Sequence, residues 1–311
     1  MTHERIPLNT FAIAFGLAGL AGTWSVAVKT WHLDPLIGTA FWGVAAIAWV
    51  WLLIAHAVRA RRSAQPLSAQ LAHPAQGPIA ALAPILGMLV GARLYAFVPL
   101  AGTILVLASI AVGAVFAGWI IARWARGLID IDLVHGGYLL PTVAAGFLAA
   151  TASAQIGWPA LGWGAFGVGS LFWVLIFTLI LARLALRPAL PAPLVPTLAI
   201  MMAPPAVAGG AWIALTGEHA GIVVDILLGL TLILVLLQVG LIPLYRRTPF
   251  SLGAWSYTFP LAAVATFVMS AVSNPMASGV GVVVVSGVVL VVAFYSVRSR
   301  RAARVSLVAT A

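Results

Sequence analysis

The sequence predicts an all-α, polytopic membrane protein with ten transmembrane helices. Three observations carry that expectation. Of 311 residues, 63% are hydrophobic and only 7% are charged, whereas a soluble domain carries about 25% charged residues. So few charges cannot clothe a water-facing surface, and those present fall between long apolar runs. Prolines also recur inside alternate runs, a placement tolerated in a bilayer only where neighbours or a cavity re-satisfy the backbone.

A spanning helix needs about 20 mostly apolar residues. Ten runs qualify, near 7–27, 37–58, 78–98, 100–122, 135–155, 160–184, 194–216, 220–243, 251–272 and 276–297. They form a single transmembrane domain over 1–311 with short tails. Residues 1–5 are polar and the apolar stretch after them is long enough to span, so it is read as a helix and not as a cleavable signal.

Loop charges set the expected orientation. One set of loops carries Arg59, Arg61 and Arg62, then Arg123 and Arg126, then Arg183 and Arg187, then Arg246 and Arg247. The termini add Arg5, Arg298, Arg300, Arg301 and Arg304, so only Lys29 and Arg93 fall on the other side. The positive-inside rule makes the first side cytoplasmic, with both termini there. An even number of spans requires that agreement. The formal charge of +10 is therefore a topology signal and does not point to nucleic acid. Arginine in place of lysine, with abundant alanine, suits a GC-rich bacterial genome; the location expected is the bacterial inner membrane. No cysteine is present, which removes disulfides, thiolate metal sites and cysteine nucleophiles.

Proline gives the second organising pattern. Pro84, Pro141, Pro204 with Pro205, and Pro260 lie well inside spans three, five, seven and nine. Span one carries Gly16 and Gly19 instead, which give similar local freedom. The prolines of the even spans (Pro35, Pro99, Pro159, Pro243, Pro275) lie at or near their ends. An interior proline removes a helix hydrogen bond and kinks the helix. Membrane helices are proline-rich in any case, but strict alternation over four hairpins predicts an architecture. Five helical hairpins would place kinked odd helices around a centre and straight even helices towards lipid.

The odd spans state the chemistry of that centre. They hold Thr142, Thr151, Ser153, Thr197, Ser256, Thr258, Thr266 and Ser270, with no acidic residue and no lysine; Arg93 is their one permanent charge. Hydroxyls can donate to an anion, although serine and threonine in membranes also serve helix packing or bond their own backbone. Cation pathways and proton-coupled carriers commonly use intramembrane acids. Here Glu4, Asp34, Asp130, Asp132 and Glu218 fall in tails or loops. Asp225 alone lies within a span, about two turns from the outer end of span eight, as an interfacial residue or as a proton-coupling group. His3, His32, His73 and His219 fall in the tail or loops, and His56 and His135 near the cytoplasmic ends of spans two and five. They make no metal-ligand pair, and no phosphate loop or Ser/His/Asp set appears, so neither catalysis nor a cofactor is expected.

Span nine contains Trp255-Ser256-Tyr257-Thr258-Phe259-Pro260-Leu261-Ala262-Ala263. Phe259 is twelve residues past Arg247, or roughly 18 Å deep at about 1.5 Å per residue. It directly precedes a proline, where a residue is pushed from α geometry. A large aromatic on a kink can plug a narrow pore, or it can simply pack.

Further stretches extend the pattern. Span one has Ile6-Pro7-Leu8-Asn9 and Phe15-Gly16-Leu17-Ala18-Gly19-Leu20; span five has Tyr138-Leu139-Leu140-Pro141 running on to Ala144-Ala145-Gly146. Span six has Gly167-Val168-Gly169-Ser170-Leu171-Phe172-Trp173, and span seven Met202-Ala203-Pro204-Pro205-Ala206-Val207-Ala208. In this order and spacing the chain resembles the tellurite-resistance/dicarboxylate transporter family, which includes bacterial TehA-type proteins and plant guard-cell slow anion channels. The resemblance implies five hairpins in a quasi-fivefold ring, one central pore per protomer, and a homotrimer. It implies that Phe259 occludes the pore and that Gly16 lies in a glycine-rich stretch close to that ring.

The expected activity is passive conduction of small inorganic or organic anions through a pore gated by Phe259. Its kink and lining residues would be Gly16, Gly19, Pro84, Pro141, Pro204, Pro205, Pro260, Thr142, Ser256, Thr258 and Thr266. The alternative is a proton-coupled or facilitative carrier or exporter for dicarboxylates, sulfite or tellurium oxyanions, with Asp225 as the coupling group.

Overall fold

The computed structural model describes residues 5–309, with side chains through residue 299. His3, Glu4 and the side chains of Arg300, Arg301 and Arg304 lie outside the described residues. Among the described residues, ten helices are long and apolar enough to cross a membrane. They are α1 (Leu8–Thr30), α2 (Pro35–Ala60), α3 (Gly77–Tyr95), α4 (Pro99–Ala125), α5 (Gly136–Gln155), α6 (Pro159–Leu186), α7 (Ala192–Thr216), α8 (Ile222–Arg247), α9 (Leu252–Val272) and α10 (Pro275–Ser299).

Odd and even helices are built differently. Pro35, Pro99, Pro159 and Pro275 each open an even helix at its first position. There the missing N–H costs nothing and the fixed φ favours helix. The even helix α8 instead follows Gly221 and carries Pro243 four residues before its end. Every odd helix begins in tighter 3-10 geometry, at Leu8–Thr10, Gly77–Ala81, Gly136–Leu139, Ala192–Met202 and Leu252–Tyr257. Regular α-helix then starts at Phe11, Leu82, Ala203 and Thr258; in α5 a π-turn over Leu140–Ala144 intervenes before Ala145. Pro84, Pro204, Pro205 and Pro260 all fall in the first turn of these α segments, and Pro141 falls in the π-turn. The prolines therefore mark where the α-helix begins and do not break one already under way. Phe259 accordingly lies within regular helix, against the expectation that the residue before Pro260 would leave α geometry. The pre-proline restriction is a steric bias and not a prohibition, and here the packed first turn of the helix holds Phe259 in α geometry.

Each hairpin packs on itself, α1 with α2, α3 with α4, α5 with α6, α7 with α8 and α9 with α10. Each odd helix also touches two other odd helices: α1 meets α3 and α9, α5 meets α3 and α7, and α7 meets α9. Between 50% and 83% of each odd span is buried, against 17% to 28% of each even span. The even helices expose large apolar side chains such as Ile47, Trp51, Val115, Val174, Leu232 and Leu290, which suits contact with lipid tails and not with water.

The connector between α2 and α3 fastens the start of α1. Gln70 Nε2 donates to the Ile6 carbonyl at 2.8 Å, Arg5 Nε to the Gln65 carbonyl at 2.6 Å, and Gln76 Oε1 accepts from the Leu8 N–H at 3.4 Å. Arg183, expected as a loop charge, is buried near the end of α6 and donates from Nη2 to the Asp132 carbonyl at 2.6 Å. At the mouth of α5, the fully buried His135 caps the helix: its Nδ1 accepts from the Gly137 N–H at 3.1 Å and lies 3.2 Å from Thr197 Oγ1 of α7.

Burial lowers the His135 pKa from 6.5 to about 4, and a backbone interaction with Ala75 offsets this in part. The folded junction thus binds a proton less readily than an opened one. Stability is complete above pH 6.5 and falls as pH drops towards about 4, by up to about 1.4 kcal/mol per pH unit. Thermal melts at pH 7.5 and pH 5 should therefore differ more for the wild type than for His135→Gln, by about 2 kcal/mol.

Candidate functional site

The centre of the molecule is organised by a close contact between α1 and α9. A Cβ on Gly19 would lie 2.9 Å from Ala262 Cβ and 3.3 Å from Phe259 Cα; one on Gly16 would lie 2.9 Å from Thr258 Cβ and 3.0 Å from Trp255 Cε3. Only glycine lets the two backbones approach so closely. The polar groups along this contact are already used. Thr258 Oγ1 donates to the Trp255 carbonyl at 2.7 Å, Thr23 Oγ1 donates to the Gly19 carbonyl at 3.2 Å, and the Thr23 and Thr266 hydroxyls are 3.1 Å apart. Trp255 Nε1 donates to Ser296 Oγ at 3.0 Å, which ties α9 to α10.

On this platform the Phe259 ring stacks on Phe15 of α1. Their centroids are 3.6 Å apart and their planes differ by 13°. Aromatic pairs left to themselves prefer offset or edge-on arrangements with centroids about 4.5–7 Å apart. The face-to-face stack is thus imposed by the helix contact. Six residues of 3-10 helix and two of α-helix put Phe259 roughly 15 Å from the start of α9, near the middle of the span.

Two cavities border Phe259, and Phe15 lines the first of them. The first, about 40 Å³, is lined by Asn9, Ala12 and Phe15 of α1, Ile79 and Leu82 of α3, and Leu139, Leu140, Val143, Ala144 and Phe147 of α5, with Ile200, Ala203, Pro204 and Val207 of α7 and Trp255, Ser256, Phe259 and Pro260 of α9. It has room for a few water molecules at most. The second, about 520 Å³, again draws on all five odd helices, with Trp42 the one contribution from an even helix. Phe259 and Val207 are the residues common to both. No carboxylate lines either cavity, and Lys29 and Arg93 both line the second.

The expected site residues separate into three groups. Phe259 lines both cavities; Pro204, Pro260 and Ser256 line the first, and Gly19 and Thr266 the second. Gly16 and Thr258 form the helix contact and line neither cavity. Pro84, Pro141, Pro205 and Thr142 also line neither; Pro84 faces Gly113 of α4, and Thr142 is buried with its hydroxyl unpartnered. Asp225 is exposed in the first turn of α8, not two turns deep, because that helix begins at Ile222. Lys29, expected in a loop, sits in the last turn of α1, so the odd helices carry two permanent charges. Sequence reasoning also missed Phe15 and Asn9 as lining residues. The signal for Lys29 and Arg93 was present, since they alone depart from the charge asymmetry of the loops. Among the described residues, no three His, Asp or Glu side chains stand close enough to hold a metal ion.

Among the described residues, ten apolar helices, five of them largely buried and lining two cavities that share Phe259 and Val207, define a multi-pass membrane protein. The family model for voltage-dependent anion channels, SLAC1, matches residues 5–299. The chain belongs to that family, which comprises anion channels and transporters. It is 25% identical over 264 residues to the tellurite resistance protein TehA homolog of Haemophilus influenzae, covering 84% of this chain and 79% of the relative. It is 24% identical over 277 residues to the guard cell S-type anion channel SLAC1 of Arabidopsis thaliana, covering 84% of this chain but 49% of that protein. This chain thus spans about half the length of the plant channel.

Gly19→Ala should force α1 and α9 apart and lower stability by about 1–3 kcal/mol. A Cβ at Gly22, one turn further on, meets nothing within 4 Å, so Gly22→Ala should be neutral or gain up to about 1 kcal/mol from helix propensity. Thermal melts of the two variants in detergent compare them directly.

Proposed function

We propose that this protein is a passive anion channel whose single pore runs between the five odd helices and is closed at mid-depth by Phe259 stacked on Phe15. The observation that carries this reading is the pair of cavities, each walled by all five odd helices, that meet at Phe259 and Val207. The cycle of neighbours from α1 through α3, α5, α7 and α9 back to α1 supports a quasi-fivefold ring. A dry apolar waist excludes ions because it cannot replace their hydration, so opening requires the Phe259 ring to swing off Phe15.

The sign of the permeant ion follows from the lining. Two cations and no carboxylate favour anions. Arginine-rich loops add to this near the other mouth, within a screening length of about 8–10 Å. The same loops support a cytoplasmic location for that face and for both termini, in a bacterial inner membrane. Assembly as a homotrimer rests on the family resemblance. Conduction is passive in this reading because the acid suited to proton coupling, Asp225, is exposed on an even helix and lines neither cavity.

Planar-bilayer recordings in asymmetric chloride test the proposal. Phe259→Ala should raise conductance about tenfold or more, the effect of lowering the barrier by at least ~1.4 kcal/mol, with reversal near the chloride potential. Phe15→Ala should give a smaller increase and the double variant a larger one. Unchanged current, or reversal at the cation potential, would reject the gate and the selectivity. Asp225→Asn should leave anion flux into proteoliposomes unchanged; loss of flux in that variant would favour a proton-coupled carrier.

A further inference from the structure

The second cavity is where two permanent cations share one space. Lys29 ends α1, Arg93 lies in the last turn of α3, and both line a volume of about 520 Å³. Among the described residues neither forms an ion pair. Arg93 is held by neutral groups: its Nη2 donates to Thr39 Oγ1 at 2.6 Å, and its guanidinium lies 5.3 Å from the Phe97 ring centroid. Its Nε has no partner. The walls add the hydroxyls of Ser25, Thr151, Thr266 and Ser270.

Two like charges facing one cavity repel each other, and a singly charged anion would cancel only one of them. We propose that this cavity binds a doubly charged small anion between Lys29 and Arg93, and that the bound anion obstructs the waist from that face. The binding half of the proposal stands on the cavity alone; the obstruction rests on the pore reading above. Desolvation cost rises with the square of the charge, so an ion stable between two cations is not carried on past two stacked rings into an apolar space of about 40 Å³. The cavity would hold such an ion while smaller, singly charged anions pass.

Lys29 is the only lysine in the chain, so amine acylation of side chains reports on this site alone. The full-length protein is acylated in detergent, with sulfate or chloride at equal ionic strength, and the Lys29 peptide is quantified by mass spectrometry. Sulfate should slow acylation several-fold where chloride does not, and Arg93→Gln should remove that protection. Equal rates in the two salts would overturn the site. Sulfate is then added to either face of Phe259→Ala channels carrying chloride. Block should occur from the Lys29 face, and Lys29→Gln should raise the half-blocking concentration about tenfold. Equal block from both faces, or no shift in Lys29→Gln, overturns the obstruction. Protection of Lys29 in a protein whose Phe259→Ala variant carries no current would reject the pore while leaving the binding site standing.

Discussion

A single methyl group on Gly19 would collide with Ala262 and with the backbone of Phe259, and the arrangement of the centre follows from the space that its absence leaves. Because α1 and α9 touch at Gly16 and Gly19, Phe15 and Phe259 are brought ring to ring at the depth where the cavities meet. The hydroxyls beside the contact bond to their own helices or to each other. The waist therefore presents carbon and not oxygen to anything that enters it. In the proposed channel such a constriction would resist ions without a fixed charge of either sign, by denying them water.

The two sides of that waist differ in size and in charge. The smaller cavity is nearly all hydrocarbon, with Asn9 and Ser256 as its polar side chains apart from the indole of Trp255. The larger carries two cations and several hydroxyls. This asymmetry arises from the way each odd helix is built. Its first part is 3-10 or π backbone, with proline at the junction in all but α1, and its second part is regular α-helix ending at the opposite face. Lys29 and Arg93 belong to the last turns of two such segments, where a cation also complements the helix dipole.

Much of the fold was legible in the chain because it depends on local properties. Run length and charge spacing yield ten apolar helices, and proline position separates the helices that change geometry from the plain ones, α1 and α8 excepted. The individual roles were less legible. Pro84, Pro141 and Pro205 set where helical geometry changes, but their side chains line neither cavity. Thr142 and Thr258, chosen for their hydroxyls, are turned into packing. Asp225 looked deeper than it is because hydropathy does not locate the first hydrogen-bonded turn of α8. Phe15, which completes the stack, stands in an apolar stretch with nothing local to single it out.

By itself, then, the sequence determined the helix count, the alternation of interrupted and plain spans, the asymmetry of loop charge and the scarcity of acids. Each of these follows from composition along a line. Only the tertiary structure decided which side chains face the centre. The odd helices are apolar on every side, so no stripe of polarity indicates how each is rotated about its axis. A turn of about 100° per residue moves a neighbour from the cavity to the helix contact. The rotation was set by packing between segments far apart in the chain, above all by Gly16 and Gly19 against Thr258, Phe259 and Ala262.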